Sequence, residues 1–401
     1  MRFTSRLSLV SVVLGALAIA ACSAPTPSQF STAEKDSKDG PSGTFGDGND
    51  DGSEDSDGKP KAGCVPAKGN YDIPGDKCDN DADGTVDNPP SCDAALTADG
   101  SAEDFAHAMG ICDAASTGFG LVSAKFTRGY QRDDAPQAAQ HGVLDKFGNV
   151  VKPREGKKLG VLSTGFAQEY NGSIGTPFGG DAPGKDWFRA RPGVGNGSAP
   201  PGYPKASGTC PQDSSVNDVI NLHLEMKAPK NASGIKFDFN FHSGEWPAYI
   251  CSRFNDGFIA YLSAQGFNGG KPENISFDSK KNPVSVNNGF FDRCTPGARI
   301  GCEQGATPGV STCPGGADEL AGTGFGITGQ FCPGGGQTVS GGATGWLSSQ
   351  AAVKAGETFT LDLMIWDTGD GDLDSSVLLD NFTWLGGEVV ETTTERPTGP
   401  R

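Results

Sequence analysis

FTLDLMIWDTGDGDLDSSVLLDNFTW, residues 359–384, holds two apolar runs separated by an acidic turn. Phe359, Leu361, Leu363 and Ile365 recur at every second position, with Thr360 and Asp362 between them. Period-two alternation of this length predicts a strand with one buried face. The turn that follows holds Asp367, Asp370, Asp372 and Asp374, and a second apolar run, 377–379, ends in Asp380. Carboxylates crowded at the mouth of two buried strands repel one another unless a cation or water neutralises them. The expectation is a β-scaffold whose loops converge on this acidic turn.

Similar runs recur at 118–127, 159–164, 219–226, 234–242, 257–262 and 284–286, separated by Gly-rich spacers. In one of them Ile235, Phe237, Phe239 and Phe241 alternate with Lys236, Asp238 and Asn240. Many short strands with turn-rich spacers predict an all-β fold, an antiparallel, jelly-roll-like β-sandwich. One short helix is expected from Ser101, where Ser101 and Asp104 make a capping-box pair and Phe105, Ala108, Met109 and Cys112 share a face. His107 falls on its outer side. The loops 165–211 and 295–345 are long and Gly/Pro-rich, and suit stapling by disulfides.

Composition bounds the function. Gly 60 and Pro 27 are together about 22% of the 401 residues, against roughly 12% in ordinary chains. The 35% of hydrophobic residues are enough for one good core. The formal charge of −17 repels phosphate backbones, so no nucleic-acid partner is expected, and divalent cations are the natural counter-ions.

Arg2 and Arg6 precede an apolar run, 7–21, too short to span a bilayer and suited to a signal peptide. Its end, Ile19-Ala20-Ala21-Cys22, resembles a bacterial lipobox, which implies lipidation of Cys22, and Ser23 after it implies outer-membrane sorting. Membrane attachment is then by lipid alone. The other ten cysteines, 64, 78, 92, 112, 210, 251, 294, 302, 313 and 332, are an even set, as expected of disulfides in an exported protein. Their clustering predicts pairing within each half of the chain, with connectivity left open. Residues 22–62 have too much charge and too little hydrophobicity to fold, and form a tether with a reach of about 35 Å.

Residues 63–92 read as a small Cys/Asp-rich module. Asp79, Asp81, Asp83 and Asp87 occupy positions 1, 3, 5 and 9 of a loop with Gly84 at position 6, the first half of an EF-hand pattern. Position 12 is Pro90, so the closing bidentate ligand is absent. The Cys-flanked string resembles the short metal-binding repeats of the MopE type, though Ala82 stands where those carry a further cysteine. The plain alternative is a solvated Asp/Gly turn.

SGEWPAYICSRFNDGFIAYL (243–262), together with the acidic segment 366–380, LGVLSTG (159–165), ENISF (273–277) and PVSVNN (283–288), resembles the choice-of-anchor L family. The resemblance covers roughly residues 95–386. It implies a surface protein whose domain is shared among relatives that differ in how they are anchored; no enzymatic activity is established for the family, so the resemblance supplies location and architecture more than function. The expected organisation is a signal peptide (1–21), tether (22–62), metal-binding module (63–92), choice-of-anchor L-like sandwich (93–386) and disordered tail (387–401).

Glu245 and Asp256 flank a buried strand, and with Asp367, Asp370, Asp372, Asp374 and Asp380 they are candidate ligands for a structural Ca2+ held between β-loops. A solvated acidic edge is the competing reading. Glu245 paired with one of the aspartates is also the arrangement a carbohydrate hydrolase uses. None of the histidines, 107, 141, 223 and 242, sits in a nucleophile motif, and no phosphate loop occurs. Trp187, Phe188, Tyr203 and Trp246 are candidate contacts for a surface glycan or protein ligand, and Trp246 beside Pro247 reads equally as a packed core edge. The function expected is a lipid-anchored, calcium-stabilised, non-catalytic binding or adhesion module. The alternatives are the hydrolase and metal capture by residues 79–87.

Overall fold

Strands form where the period-two stripes run, and at several places where no stripe marks them. The structure is a computed structural model that describes residues 64–170, 197–287, 289–303, 308–387 and 390–397. The signal segment, Cys22, the tether, Trp187 and Phe188 lie outside the described residues.

In chain order, helix α1 (Ala102–Ala108) precedes β1 (Gly120–Thr127), β2 (His141–Leu144), β3 (Leu159–Ser163), β4 (Val216–Lys227), β5 (Gly234–Ser243) and β6 (Gly257–Ser263). Short strands follow: β7 (Glu273–Asn274), β8 (Val284–Ser285), β9 (Arg299–Ile300), β10 (Gly309–Val310), β11 (Thr328–Gly329), β12 (Thr338–Val339) and β13 (Gly342–Ala343). The chain then forms β14 (Leu347–Ala352), β15 (Thr358–Thr368), β16 (Ser375–Leu385) and β17 (Thr393–Glu395).

One sheet has the order β1-β4-β15-β6-β7, with β8 also on β6; the other is β17-β14-β5-β16-β3-β2, with β13 on β5. The strand pairs within both sheets are antiparallel. β9 with β10 and β11 with β12 make two separate small ribbons. Strands β4, β5 and β6 change sheet at each step, and so do β14, β15 and β16. The segment quoted first is thus the crossing between the sheets: β15 lies between β4 and β6, β16 between β5 and β3.

Between the sheets, Leu222, Leu224, Phe258, Leu361 and Leu363 meet Phe237, Phe239, Phe241, Val377 and Leu379 in one buried core. Phe239 and Phe258 touch across the gap with ring centroids 5.0 Å apart. Each such side chain stabilises the fold by roughly 1.5–3 kcal/mol on burial. The outer faces are partly covered too. Val161 and Leu378 lie under Phe147 and Phe325, while Ile259, Met364 and Trp366 pack with Tyr203. β3 is therefore buried on both faces, which is why LGVLS shows no alternation.

α1 has its capping box, with the Asp104 N–H donating to Ser101 Oγ and the Ser101 N–H to Asp104 Oδ2. It is shorter than its sequence suggests. Gly110 at φ +89° ends it after Met109, so Cys112 lies beyond the helix. Phe105 packs on Gly160, where a Cβ would stand 2.3 Å from the ring.

β17 and much of β14 escape sequence reading because hydroxyls make many of their buried contacts, Leu347 and Ala351 being the apolar ones of β14. Ser349 Oγ meets Ser276 Oγ at 2.9 Å and Thr394 Oγ1 at 2.8 Å. Part of the expected tail is docked accordingly. Thr393–Glu395 pairs with β14, and Arg396 donates to the carbonyls of Thr344 (2.7 Å) and Phe290 (2.9 Å).

The ten cysteines form Cys64–Cys78, Cys92–Cys112, Cys210–Cys251, Cys294–Cys313 and Cys302–Cys332, each within its half of the chain. Closing loops of 14 to 41 residues stabilises by roughly 3–4 kcal/mol per bridge in the chain-entropy account. Among the described residues no helix is long and apolar enough to cross a membrane.

Candidate functional site

The inward stripes of β6 and β15 do not stop at their last apolar residue. Asp256 lies two positions before Phe258 and Asp367 two after Ile365, so both continue the core-facing parity. The ladder pairs Ile365 with Phe258 and Trp366 with Gly257, which sets the two aspartates side by side at the end of the sandwich. Glu245, just past β5, and Asp374, just before β16, close in from the other sheet. The four are almost wholly covered, at 3% (Glu245), 1% (Asp256), 2% (Asp367) and 1% (Asp374) exposure.

Their hydrogen bonds are unequal. Asp256 is well held: the Thr368 N–H donates to Oδ1 at 3.0 Å and Ser375 Oγ to Oδ2 at 2.8 Å. Those bonds clasp the end of β15 to the start of β16. Neither oxygen of Asp367, nor Oε2 of Glu245, has a hydrogen-bond partner among the described residues. Asp374 lies against Gly165, where a Cβ would fall 1.9 Å from its Oδ2, so only glycine fits there. Thr164, next to it, accepts the Ser375 N–H at 2.9 Å.

No Lys or Arg forms an ion pair with these carboxylates among the described residues. Their electrostatics follow. Burial first, and Asp256, Asp370 and Asp372 next, push the Glu245 carboxyl well above the usual range. Asp367 is raised by burial and then by Asp256 and Asp374. Asp256 is pushed up to about 7 by burial, against the pull of its bonds from Thr368 and Ser375. Asp370 is raised chiefly by burial, and Asp372 is exposed, so these two form the lip. A bulge on β4, with Asp218 at φ +48°, lies opposite the end of β15, and a Cβ on Gly371 would fall 2.5 Å from Asp218 Oδ2.

Asp380 belongs elsewhere. It lies mid-strand on the outer face of its sheet, in register with Asp238. The backbone N–H groups of Arg154 (2.5 Å), Glu155 (3.4 Å) and Asn381 (2.6 Å) donate to it. Asp238 takes Arg154 Nε at 3.2 Å, Asn381 Nδ2 at 2.8 Å and the Ser348 hydroxyl.

In the small module the candidate ligands split. Asp79 and Asp81 join Asp72, which the loop spacing does not reveal because it lies seven residues upstream of Asp79. Among the described residues these three are the only set of carboxylate, imidazole or thiolate ligand atoms all within 4.8 Å of one another. Asp83 instead accepts from the Thr85 N–H (2.7 Å) and Asn88 Nδ2 (3.0 Å), and Asp87 from the N–H groups of Gly75 (2.9 Å) and Lys77 (3.2 Å). The sandwich-end carboxylates are more widely spaced than the module's three. An ion there would draw on carbonyls or water as well, as six- to eight-coordinate calcium does.

Of the candidate aromatics, Trp246 is a core edge, buried with Val286, Cys294 and Cys313. Tyr203 is half-buried against Trp366 and donates its hydroxyl to Glu273 at 2.9 Å.

Residues 161–383 match the family model of the choice-of-anchor L domain. No curated protein and no solved structure matches the chain.

Proposed function

The chain belongs to the choice-of-anchor L domain family and is a surface-associated, exported protein, and on that premise we propose that it is a lipid-anchored binding module whose sandwich is stabilised by calcium. The observation that carries the calcium reading is the pair of buried, unpartnered groups, both oxygens of Asp367 and Oε2 of Glu245. A buried carboxylate without donors is strongly unfavourable, and a hard dication beside Asp367 and Glu245 supplies what the protein does not. Calcium suits the all-oxygen donor set and tolerates its irregular spacing better than magnesium. Its role is to tie the ends of β5, β6, β15 and β16 together below the Asp370–Asp372 lip. Attachment through Cys22 rests on the lipobox-like Ile19-Ala20-Ala21-Cys22, and Cys22→Ala moves the protein out of the membrane fraction if that reading holds.

Thermal unfolding of the EDTA-treated full chain tests the calcium reading. At a hundredfold excess over Kd, calcium adds about 2.7 kcal/mol, or roughly 4 °C in Tm for a domain of this size. Magnesium gives less. An unchanged Tm across millimolar calcium sinks the reading.

A second reading, cation capture by the small module, draws support from the close approach of Asp72, Asp79 and Asp81. Calcium binding that survives Asp367→Asn but not Asp79→Asn would favour it. The hydrolase reading draws less support, because Glu245 and Asp256 are too deeply covered for a glycosidic bond to reach.

A further inference from the structure

The outer face of the first sheet carries a polar row that the acidic end does not use. Ladder register places Lys125 of β1, His223 of β4, Asp362 of β15 and Tyr261 of β6 side by side across four strands. The loop with Tyr130 and Arg132 rises over one side and encloses a cleft of about 280 Å3. Resting on the reading of the protein as a surface-binding module, we propose that this cleft binds a neutral, polyhydroxylated ring, one sugar unit of a surface glycan.

Three features carry the assignment. The first is orientation. Asp362 is buried beneath the row and takes Asn221 Nδ2 at 2.8 Å and His223 Nδ1 at 2.7 Å. A carboxylate only accepts, so His223 carries a proton on Nδ1, and in the neutral ring Nε2 is then the acceptor. Asn221 also donates to Thr127 Oγ1 at 3.2 Å, and its own Oδ1 is a buried acceptor with no partner among the described residues. A sheet face that only met solvent would need no buried aspartate to fix a histidine and an amide.

The second is charge. The exposed ionic groups of the cleft are paired at its wall, Lys125 with Asp133 at 2.7 Å and Arg132 with Asp134 at 2.6 Å, and the Asp362 carboxylate is covered beneath His223 and Asn221. An anion meets Asp133, a cation meets Lys125 and Arg132, and neither finds an exposed partner without its counter-charge. Ligand hydroxyls, which donate and accept, match the mixture of His223 Nε2 and the hydroxyls of Thr127, Ser263 and Thr360.

The third is shape. Tyr130 stands edge to face on the buried Tyr261, with ring centroids 5.3 Å apart and planes at 78°, and its half-exposed ring offers aromatic surface to the C–H face of a sugar ring. The volume lies at the small end of the roughly 300–1,000 Å3 usual for ligand pockets, and suits one ring with the rest of a glycan outside. The row is built on paired strands, so its geometry is fixed before binding.

The test is binding of the full chain to a printed array of neutral, uronate-bearing and sulfated oligosaccharides, with hits measured by calorimetry. The expected result is a neutral-glycan ligand whose Kd rises at least tenfold in Tyr130→Ala and in His223→Ala. Near-UV circular dichroism checks folding. Should His223→Ala fail to fold, Tyr130→Ala and Lys125→Ala, at the rim, carry the comparison. Absence of any neutral-glycan binding by the folded chain overturns the proposal, as does exclusive binding of anionic glycans or a Kd unmoved by the rim variants. The calcium melt is read separately. Glycan binding without a calcium response refutes only the calcium reading, and a calcium response without glycan binding refutes only this one.

Discussion

β16 carries buried aspartates in two surroundings. Asp374, at its start, belongs with Asp256, Asp367 and Glu245, where neither oxygen of Asp367 nor Oε2 of Glu245 has a hydrogen-bond partner among the described residues. Asp380, six residues on, sits beside Asp238, and this pair takes three backbone N–H groups, an amide, a hydroxyl and the Arg154 guanidinium. Residue type and burial are alike in the two places. The donors differ. A saturated aspartate has no oxygen left for a cation, whereas a donor-poor cluster is stable only with protons or a metal.

The sharpest way to break this contrast is to remove the cation from the saturated place. Arg154→Ala leaves Asp238 without its ion-pair partner, and we expect a loss of about 3–5 kcal/mol in denaturant unfolding. Calcium should still stabilise that variant as it does the parent. A calcium response lost together with Arg154 would mean that the two places act as one.

A smaller effect, opposite in sign at the two places, comes from isosteric neutralisation. In metal-free protein at pH 7, Asp367→Asn removes a charge that burial and its neighbours disfavour, and should raise stability by about 1–2 kcal/mol while abolishing the calcium response. At pH 9, above the Asp380 value, where its carboxylate is ionised, Asp380→Asn turns an amide against the N–H donors of Arg154, Glu155 and Asn381 and should lower stability by about 1–3 kcal/mol. Movement in the same direction would remove the distinction.

The gentlest test is pH. Burial holds the Asp380 carboxyl up to about 8 against an ordinary value of 3.8, so the folded state keeps a proton that the unfolded chain has released. Its contribution is complete below about pH 4 and is lost as pH rises through 8. With calcium saturating, stability should therefore still fall across that window, and fall less steeply in Asp380→Asn. A flat profile in the parent would show that the N–H donors outweigh burial.

Much of this was legible in the chain. The stripes of β5, β6 and β15, the cap at Ser101 and the even cysteine set all rest on neighbours a few residues apart, and local spacing reports them. The inward parity of Asp256 and Asp367 was present as well, as two acids continuing apolar stripes. Asp380 reads like one more member of that set, because nothing local shows that its donors arrive from Arg154, 226 residues earlier. The hydroxyl-paired β17 has no apolar period to announce it, that of β14 is broken at Ser349, and the row of His223 and Asp362 exists only through ladder register.

Sequence by itself thus determined which segments are strands with a wet and a dry side, since that depends on the order of polar and apolar side chains along one backbone. Tertiary structure alone decided which carboxylates are satisfied. A donor is worth something only within about 3 Å, and the chain brings it there from loops that no local pattern connects.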